Sequence, residues 1–299
     1  SGLLGGLFSS AWMNGMAMQR VKNTFAYEIG HVQMHHQDYS ENLDVKKTIV
    51  GTRKKMSELS ATEGVKSVTQ RLRITGMAAT ANKNLGVNII GVDPVSEKEV
   101  FELYQRIDSG SGNFFEKEGK NQIVISKALA KEINAKIKSK IVLTFQDFNG
   151  EITGAAFKVA GMYKTDNNPW DKMHVFVKNA DLRSVLEIPD DQVHEIVMLL
   201  DDYEQAGALA DLLQARNPGT KVEDWAEISP YLSLMSGYMD TMMGLFMAII
   251  LGALGFGIVN TMLMVVLERT RELGMLMAIG MTKKRIFMMI MLETIFLAL

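Results

Sequence analysis

Cysteine is absent from all 299 residues. Its absence excludes disulfides and thiolate metal sites, and it is compatible with an oxidising compartment. A phosphate-binding loop of the form G-x-x-x-x-G-K-[ST] is also missing. The nearest approach to one, GSGNFF at 110–115, lacks the lysine and follows no predicted strand, so it reads as a flexible surface loop. Neither sign of charge prevails. The net charge of −2 gives no general attraction to nucleic acid, and no nucleic-acid partner is expected. No nucleophile–base pair supports catalysis, so neither turnover nor a cofactor is expected of this chain. Charge itself is missing from residues 241–267, a run of 27 positions.

That run is the strongest single signal in the chain. As a helix rising about 1.5 Å per residue it spans roughly 40 Å, more than the ~30 Å of a bilayer's hydrocarbon core. Residues 239–267 therefore read as a transmembrane helix. Residues 1–19 are also uncharged, rich in Gly and Ser, and without a basic leader or an initiator Met. They read as the end of an earlier transmembrane helix and not as a signal peptide. Residues 286–299 are apolar except for Glu293 and Thr294. They are too few to cross a bilayer and read as the start of a third such helix. The expectation is a fragment of a longer polytopic protein.

Basic residues fix the orientation. The connector 268–285 carries Arg269, Arg271, Lys283, Lys284 and Arg285 against Glu268 and Glu272. The positive-inside rule places this short loop in the cytoplasm. Residues 20–238 then lie outside, in the periplasm of a Gram-negative cell. The chain is expected to be a multi-pass protein of the bacterial inner membrane, in contact with lipid.

Residues 20–238 alternate strands and helices, with possible sub-blocks at 40–120 and 121–225. GHVQMHHQDY (30–39) has a period of two and predicts a half-buried strand. Residues 44–61 predict a helix, on which Arg53, Lys54 and Lys55 form a solvated face. VKSVTQRLRITGMA (65–78) and LGVNIIGVD (85–93) predict strands, followed by a turn at Asp93-Pro94. NQIVIS, KALAKEIN, KIVLTFQDF and ITGAAFKVAGMY predict strand, helix and a hairpin turning at Asn149-Gly150. Strands at 174–178, 194–200 and 221–225 alternate with helices at 179–187 and 202–216. The fold class is α+β, an extracytoplasmic domain inserted between transmembrane α-helices. A helix entered at Ser229-Pro230 is expected to continue into the membrane.

Several side chains invite a functional reading. His31, His35 and His36 suggest zinc, but on a strand His31 and His35 stand four residues apart and His36 faces the other way. No third ligand at a recognisable spacing completes the set, so a polar strand face is expected and no metal. Glu195, beside His194, is one acid on an apolar strand and reads as structural. The 22 methionines read as adaptable packing. In the helix 241–267, Gly244, Ala248, Gly252 and Gly255 share a face on which another helix could approach closely. Asn260 is expected to hydrogen-bond within a helix bundle.

NTMLMVVLERTRELGMLMAIGMTKKRI (260–286) places a small amphipathic unit between two apolar ones. Leu273, Leu276, Met277 and Gly280 fall at i, i+3, i+4 and i+7, an apolar stripe. Glu268 with Arg271, and Arg269 with Glu272, are i,i+3 pairs that support a solvated face. Gly280 suits a helix C-terminus, and Thr282 an N-cap for the next helix. Residues 268–280 thus predict a short helix at the cytoplasmic membrane surface.

This stretch resembles the signature of the FtsX-like/MacB-type permeases, N-x-M-x-x-x-V-x-E-R-T-R-E-I-G-x-x-K-A-I-G-A. Asn260, Met262, Val266, Glu268, Arg269, Thr270, Arg271, Glu272, Gly274, Ala278, Ile279 and Gly280 match. Leu273 replaces Ile, Met277 stands where Lys or Arg is frequent, and Met281 where Ala is frequent. GHVQMHH resembles the lipoprotein-releasing LolC/LolE-type branch. The resemblance implies a MacB-type periplasmic core and a non-catalytic membrane subunit of an ABC transporter. It implies a dimer with a second permease subunit and cytoplasmic ATPase subunits that push on 268–280. Coupling would involve Glu268, Arg269, Arg271, Glu272, Leu273, Gly274, Leu276, Ala278 and Gly280. A lipoprotein substrate and a periplasmic carrier are the favoured further partners. A MacB-type drug or peptide exporter and an FtsX-like signalling subunit acting on cell-wall hydrolases remain as alternatives.

Overall fold

The computed structural model describes residues 22–39, 44–81, 83–115 and 119–298, with scattered positions before 22. The expectation for residues 1–19 lies largely outside the described residues. The chain divides into two units, residues 19–234 and residues 235–299 with 1–18.

The first unit begins with a π-helical turn (Phe25–Ile29), β1 (Val32–His36), β2 (Ile49–Val50), α1 (Thr52–Ser60), β3 (Val65–Ala79) and β4 (Asn84–Val92). It continues with α2 (Ser96–Val100), β5 (Ile107–Gly112), β6 (Gln122–Ser126), α3 (Lys127–Glu132), β7 (Lys140–Gln146), β8 (Ile152–Tyr163) and α4 (Asn168–Met173). Then come β9 (His174–Lys178), α5 (Asn179–Leu186), β10 (Gln192–Val193), β11 (Glu195–Leu200), α6 (Ala206–Arg216), β12 (Thr220–Asp224) and α7 (Trp225–Ile228). The remaining helices are α8 (Pro230–Glu268), α9 (Thr270–Ala278) and α10 (Lys283–Ala298).

β3 organises the sheet. It pairs with β4 along one edge, and with β11 and then β7 along the other. β4 pairs with β9, β9 with β6, β6 with β8, and β8 with β7. The pairings therefore close a ring, β3-β4-β9-β6-β8-β7, from which β11, β1 and β12 extend as an open wing. Gly76 permits the closure: a Cβ there would lie 2.7 Å from the Thr144 carbonyl oxygen on β7.

The period of two sends alternate side chains to two cores. Val87 and Ile89, Ile123 and Ile125, and Val175 and Val177 belong to the larger core. Their neighbours Ile90, Val92, Val124 and Phe176 join a second cluster, covered by Tyr27, Leu103, Phe114 and Trp170. Each fully buried aliphatic side chain contributes about 1.5–3 kcal/mol. Local chemistry fixes the ends of elements. Ser126 Oγ accepts from the Leu129 amide and starts α3. Asp147 Oδ1 accepts from the amides of Asn149 and Glu151, both at 2.9 Å, and tightens the β7–β8 hairpin.

Three expectations need correction. The helix predicted over 44–61 starts only at Thr52, because Asp191 supplies its start from far along the chain. Asp191 Oδ1 accepts from the Arg53 amide at 2.9 Å and from Thr52 Oγ1 at 3.1 Å. β1 is not half-buried: Val32 and Met34 enter the larger core, and on the other face Gln33 bonds the π-turn and His35 stacks on Tyr39, so all four are buried. The stretch 110–115 is not a free loop, since its first residues end β5 and Phe114 is buried in the second core.

α8 has 39 residues and begins with Pro230 at its first position, where a missing N–H costs nothing. Within Thr241–Glu268 an 18-residue window reaches a mean hydropathy of 2.4 and none of it is buried, with Phe256 77% exposed. An apolar surface of this length is stable in lipid and not in water.

Candidate functional site

α8 stops at Glu268 and α9 starts at Thr270, so Arg269 alone separates them. Thr270 Oγ1 donates to the Leu267 carbonyl at 2.6 Å, a local bond that competes with the helical ladder. α9 ends in a Schellman turn. The Gly280 amide donates to the Met277 carbonyl at 3.1 Å, and the Met281 amide to the Leu276 carbonyl at 3.0 Å. Gly280 has φ of 103°, a conformation other residues rarely adopt. The Thr282 carbonyl then accepts from the Arg285 amide at 2.9 Å, where α10 begins.

Leu273, Gly274 and Leu276 form the half-buried inner side of α9, while Met277, Ala278 and Gly280 are exposed. Leu273 and Leu276 line a cavity of about 250 Å³ together with Ile258 and Val265 of α8 and Met289 and Ile290 of α10. Thr261, Arg269, Glu272 and Glu293 are its polar lining residues. The expected pairing of Arg269 with Glu272 gives way to another: Arg269 Nη1 lies 2.9 Å from Glu293 Oε1. Glu268 and Arg271 are exposed. Met275 (62% exposed) and Ile279 (84%) form an outward apolar pair at i,i+4 that the stripe argument missed. Its signal was present in the spacing, on the face opposite the stripe.

On α8, Gly244, Ala248, Gly252 and Gly255 are exposed along one side. A Cβ at Gly244, Gly252 or Gly255 would meet nothing within 4 Å. Asn260 is exposed as well.

His35 and Glu195 are buried in the first unit, and His31 and His36 are half-buried there. His31 Nδ1 accepts from the Leu200 amide at 3.0 Å, and His36 Nδ1 from the Asp38 amide at 3.2 Å. Gln33 Nε2 donates to the Ile29 carbonyl, which leaves Gln33 Oε1 as acceptor for His35 Nε2–H at 2.9 Å. Glu195 lies opposite His35 on β11, 3.6 Å from Arg71 Nη1 and 3.5 Å from Arg73 Nη1. Burial pushes the Glu195 carboxyl up, but the guanidiniums of Arg73 and Arg71 outweigh it and hold the group below the usual range. Arg71 also grips Glu97 through Nε at 3.1 Å, donates to the Glu28 carbonyl at 2.9 Å, and lies 3.6 Å over the Phe101 ring. Among the described residues no group of three or more His, Cys, Asp or Glu could hold a metal. This network ties β3, β11, α2 and the π-turn together, a structural part.

Comparison with known proteins agrees with this division. The family model described as MacB-like periplasmic core domain matches residues 8–216, and the one described as FtsX-like permease C-terminal matches 244–299. The lipoprotein-releasing system transmembrane protein LolE of Haemophilus influenzae is 23% identical over 232 residues, 75% of this chain and 55% of that protein. LolC of Neisseria meningitidis is 23% identical over 229 residues, 74% and 54%. The uncharacterized ABC transporter permease YknZ of Bacillus subtilis is 29% identical over 188 residues, 59% and 45%. The chain thus spans about half the length of the curated relatives it matches. Among solved structures, the periplasmic region of MacB from Actinobacillus actinomycetemcomitans aligns with a TM-score of 0.46 at 12% identity, covering 71% of this chain and 96% of that one. The extracellular domain of YknZ aligns with a TM-score of 0.45 at 14% identity, covering 64% and 99%. With a core-domain match over more than half its length and the second match across α8, α9 and α10, the chain belongs to the FtsX-like permeases that carry a MacB-like periplasmic core domain.

Proposed function

We propose that this chain is the membrane subunit of an ABC transporter that passes the motion of a cytoplasmic ATPase to its periplasmic core domain, for the release of lipoproteins. One observation carries the reading. α9 is a short amphipathic helix held between two apolar ones, with an inner side on α8 and α10 and an outer side of Met275 and Ile279 beside Arg271 and Glu268. A partner that seats on that outer side has the apolar area of a binding anchor and the charges to set its register. The basic connector supports a cytoplasmic position for this side, where ATP is available.

In this reading ATP hydrolysis belongs to the partner, and α9 is a lever. The open row of Gly244, Ala248, Gly252 and Gly255 receives a helix of a second permease subunit, and Asn260 supplies a hydrogen bond within the bundle. Lipoprotein as the substrate is supported by relatives across 74–75% of the chain that are named as lipoprotein-releasing proteins. A periplasmic carrier then accepts it.

The test is reconstitution. The full-length protein, purified with the subunits that accompany it, is placed in liposomes loaded with a radiolabelled lipoprotein and supplied with ATP. ATP-dependent release of the lipoprotein supports the proposal. ATP hydrolysis with no release, in the presence of carrier, removes lipoprotein as the substrate.

A further inference from the structure

We infer that Glu293 is a positioning residue: through its ion pair with Arg269 it locks α9 to α10, so that the two move as one body. The inference rests on the reading of α9 as the lever and adds a specific device to it.

The starting point is an unfavourable residue. From residue 286 to the end of α10, Glu293 is the single charge in an otherwise apolar helix. It lies eight residues beyond Arg285, roughly 12 Å along the helix and into the hydrocarbon. An ionised carboxylate there is costly, and such residues persist in membrane helices where they have a partner and a task. The partner of Glu293 is Arg269. Arg269 Nη1 approaches Glu293 Oε1 at 2.9 Å, across 24 positions of sequence. The contact is a charge-assisted hydrogen bond between two side chains that are each about half exposed on the helices.

Its position gives it a mechanical meaning. Arg269 is the hinge residue between α8 and α9, and Glu293 sits in α10. At the other end α9 joins α10 through Gly280, Met281 and Thr282, a turn that rests on backbone hydrogen bonds. With that turn alone, α9 could pivot about Gly280. The ion pair adds a second attachment at the opposite end of α9, where Leu273 and Leu276 line the same cavity as Met289 and Ile290. Two attachments fix an angle; one does not. A push on α9 then moves α10.

The absence of native cysteine permits a direct test in the full-length protein with its ATPase partner in nanodiscs. Cysteines replace Leu276 and Ile290, which line the same cavity, and a short bismaleimide reports how often α9 and α10 are apposed. Glu293→Gln and Arg269→Gln are each expected to slow cross-linking and to reduce transport about tenfold. The exchanged pair, Arg269→Glu with Glu293→Arg, is expected to recover both, which simple loss of packing would not do. Unchanged cross-linking in the single variants overturns the inference, whatever happens to transport. So does an exchanged pair that performs no better than the singles. Cross-linking that falls and recovers as expected while transport stays constant upholds the lock and removes α9 from the transport mechanism.

Discussion

The amide of Met281 donates to the carbonyl of Leu276 at 3.0 Å, across Gly280 with its φ of 103°. This bond ends α9 and turns the chain into α10. Replacing Gly280 by alanine puts a Cβ into a backbone conformation that disfavours it, at a cost of roughly 1 kcal/mol or more. The variant is expected to fray the last turn of α9 and to reduce coupling severalfold. Amide exchange at Gly280 and Met281, faster in the variant than in the parent, is the check.

Glu268→Ala and Gly274→Leu address the lever from its two sides. Glu268 is exposed, and Gly274 is part of the half-buried inner side of α9. Both changes are expected to abolish most transport while ATP hydrolysis by the partner continues. Parallel assays of phosphate release and lipoprotein release distinguish this from loss of the ATPase.

The buried network gives a stability prediction. Arg71 and Glu97 are each about 2% exposed at the side chain. Removing one partner leaves an uncompensated buried charge, so Glu97→Gln is expected to cost about 3–5 kcal/mol. For a unit of this size that is roughly a 10 °C fall in midpoint. Replacing Arg71 and Glu97 together by methionine is expected to be milder, because no charge is stranded. Thermal unfolding of the full chain in detergent measures both.

Two buried histidines predict the response to acid. His194 Nδ1 accepts from the Arg73 amide at 3.0 Å, so its proton is on Nε2 and donates to the Val45 carbonyl. His174 is the opposite tautomer: Nδ1–H donates to the Trp170 carbonyl, and Nε2 accepts from the Asn88 amide. In each ring a second proton would face a donor. Burial lowers both groups to about 4. The folded state therefore holds fewer protons than the unfolded chain, whose histidines titrate near 6.5. Their contribution is complete above about pH 6.5 and is lost as pH falls toward 4, on the order of 3 kcal/mol for each ring. Unfolding midpoints measured from pH 7.5 to 4 are expected to fall through this window. His174→Gln and His194→Gln should flatten the profile.

Much of this was legible in the chain. The period of two marked β3, β4, β6, β7, β8 and β9, and the uncharged run marked the apolar part of α8. The ERTRELGMLMAIG stretch marked α9 and its glycine stop. Other features depend on residues distant in sequence. The start of α1 depends on Asp191, some 138 residues away from Arg53. The place of β1 inside the sheet depends on β11 and β12. Closure of the ring depends on β3 meeting β7 at Gly76. Local periodicity carries no information about such contacts. The Arg269–Glu293 pair was missed for the same reason, since i,i+3 neighbours offered a nearer and equally charged alternative.

The claim on which the account depends is that α9 and the core domain lie on opposite sides of the membrane. Single cysteines at Met275 and at Lys120, in a chain that has none, make it measurable with a membrane-impermeant maleimide. In intact cells with a permeabilised outer membrane, position 120 should label and position 275 should not. In inside-out vesicles the pattern should reverse. Labelling of both positions from the same side would contradict the account.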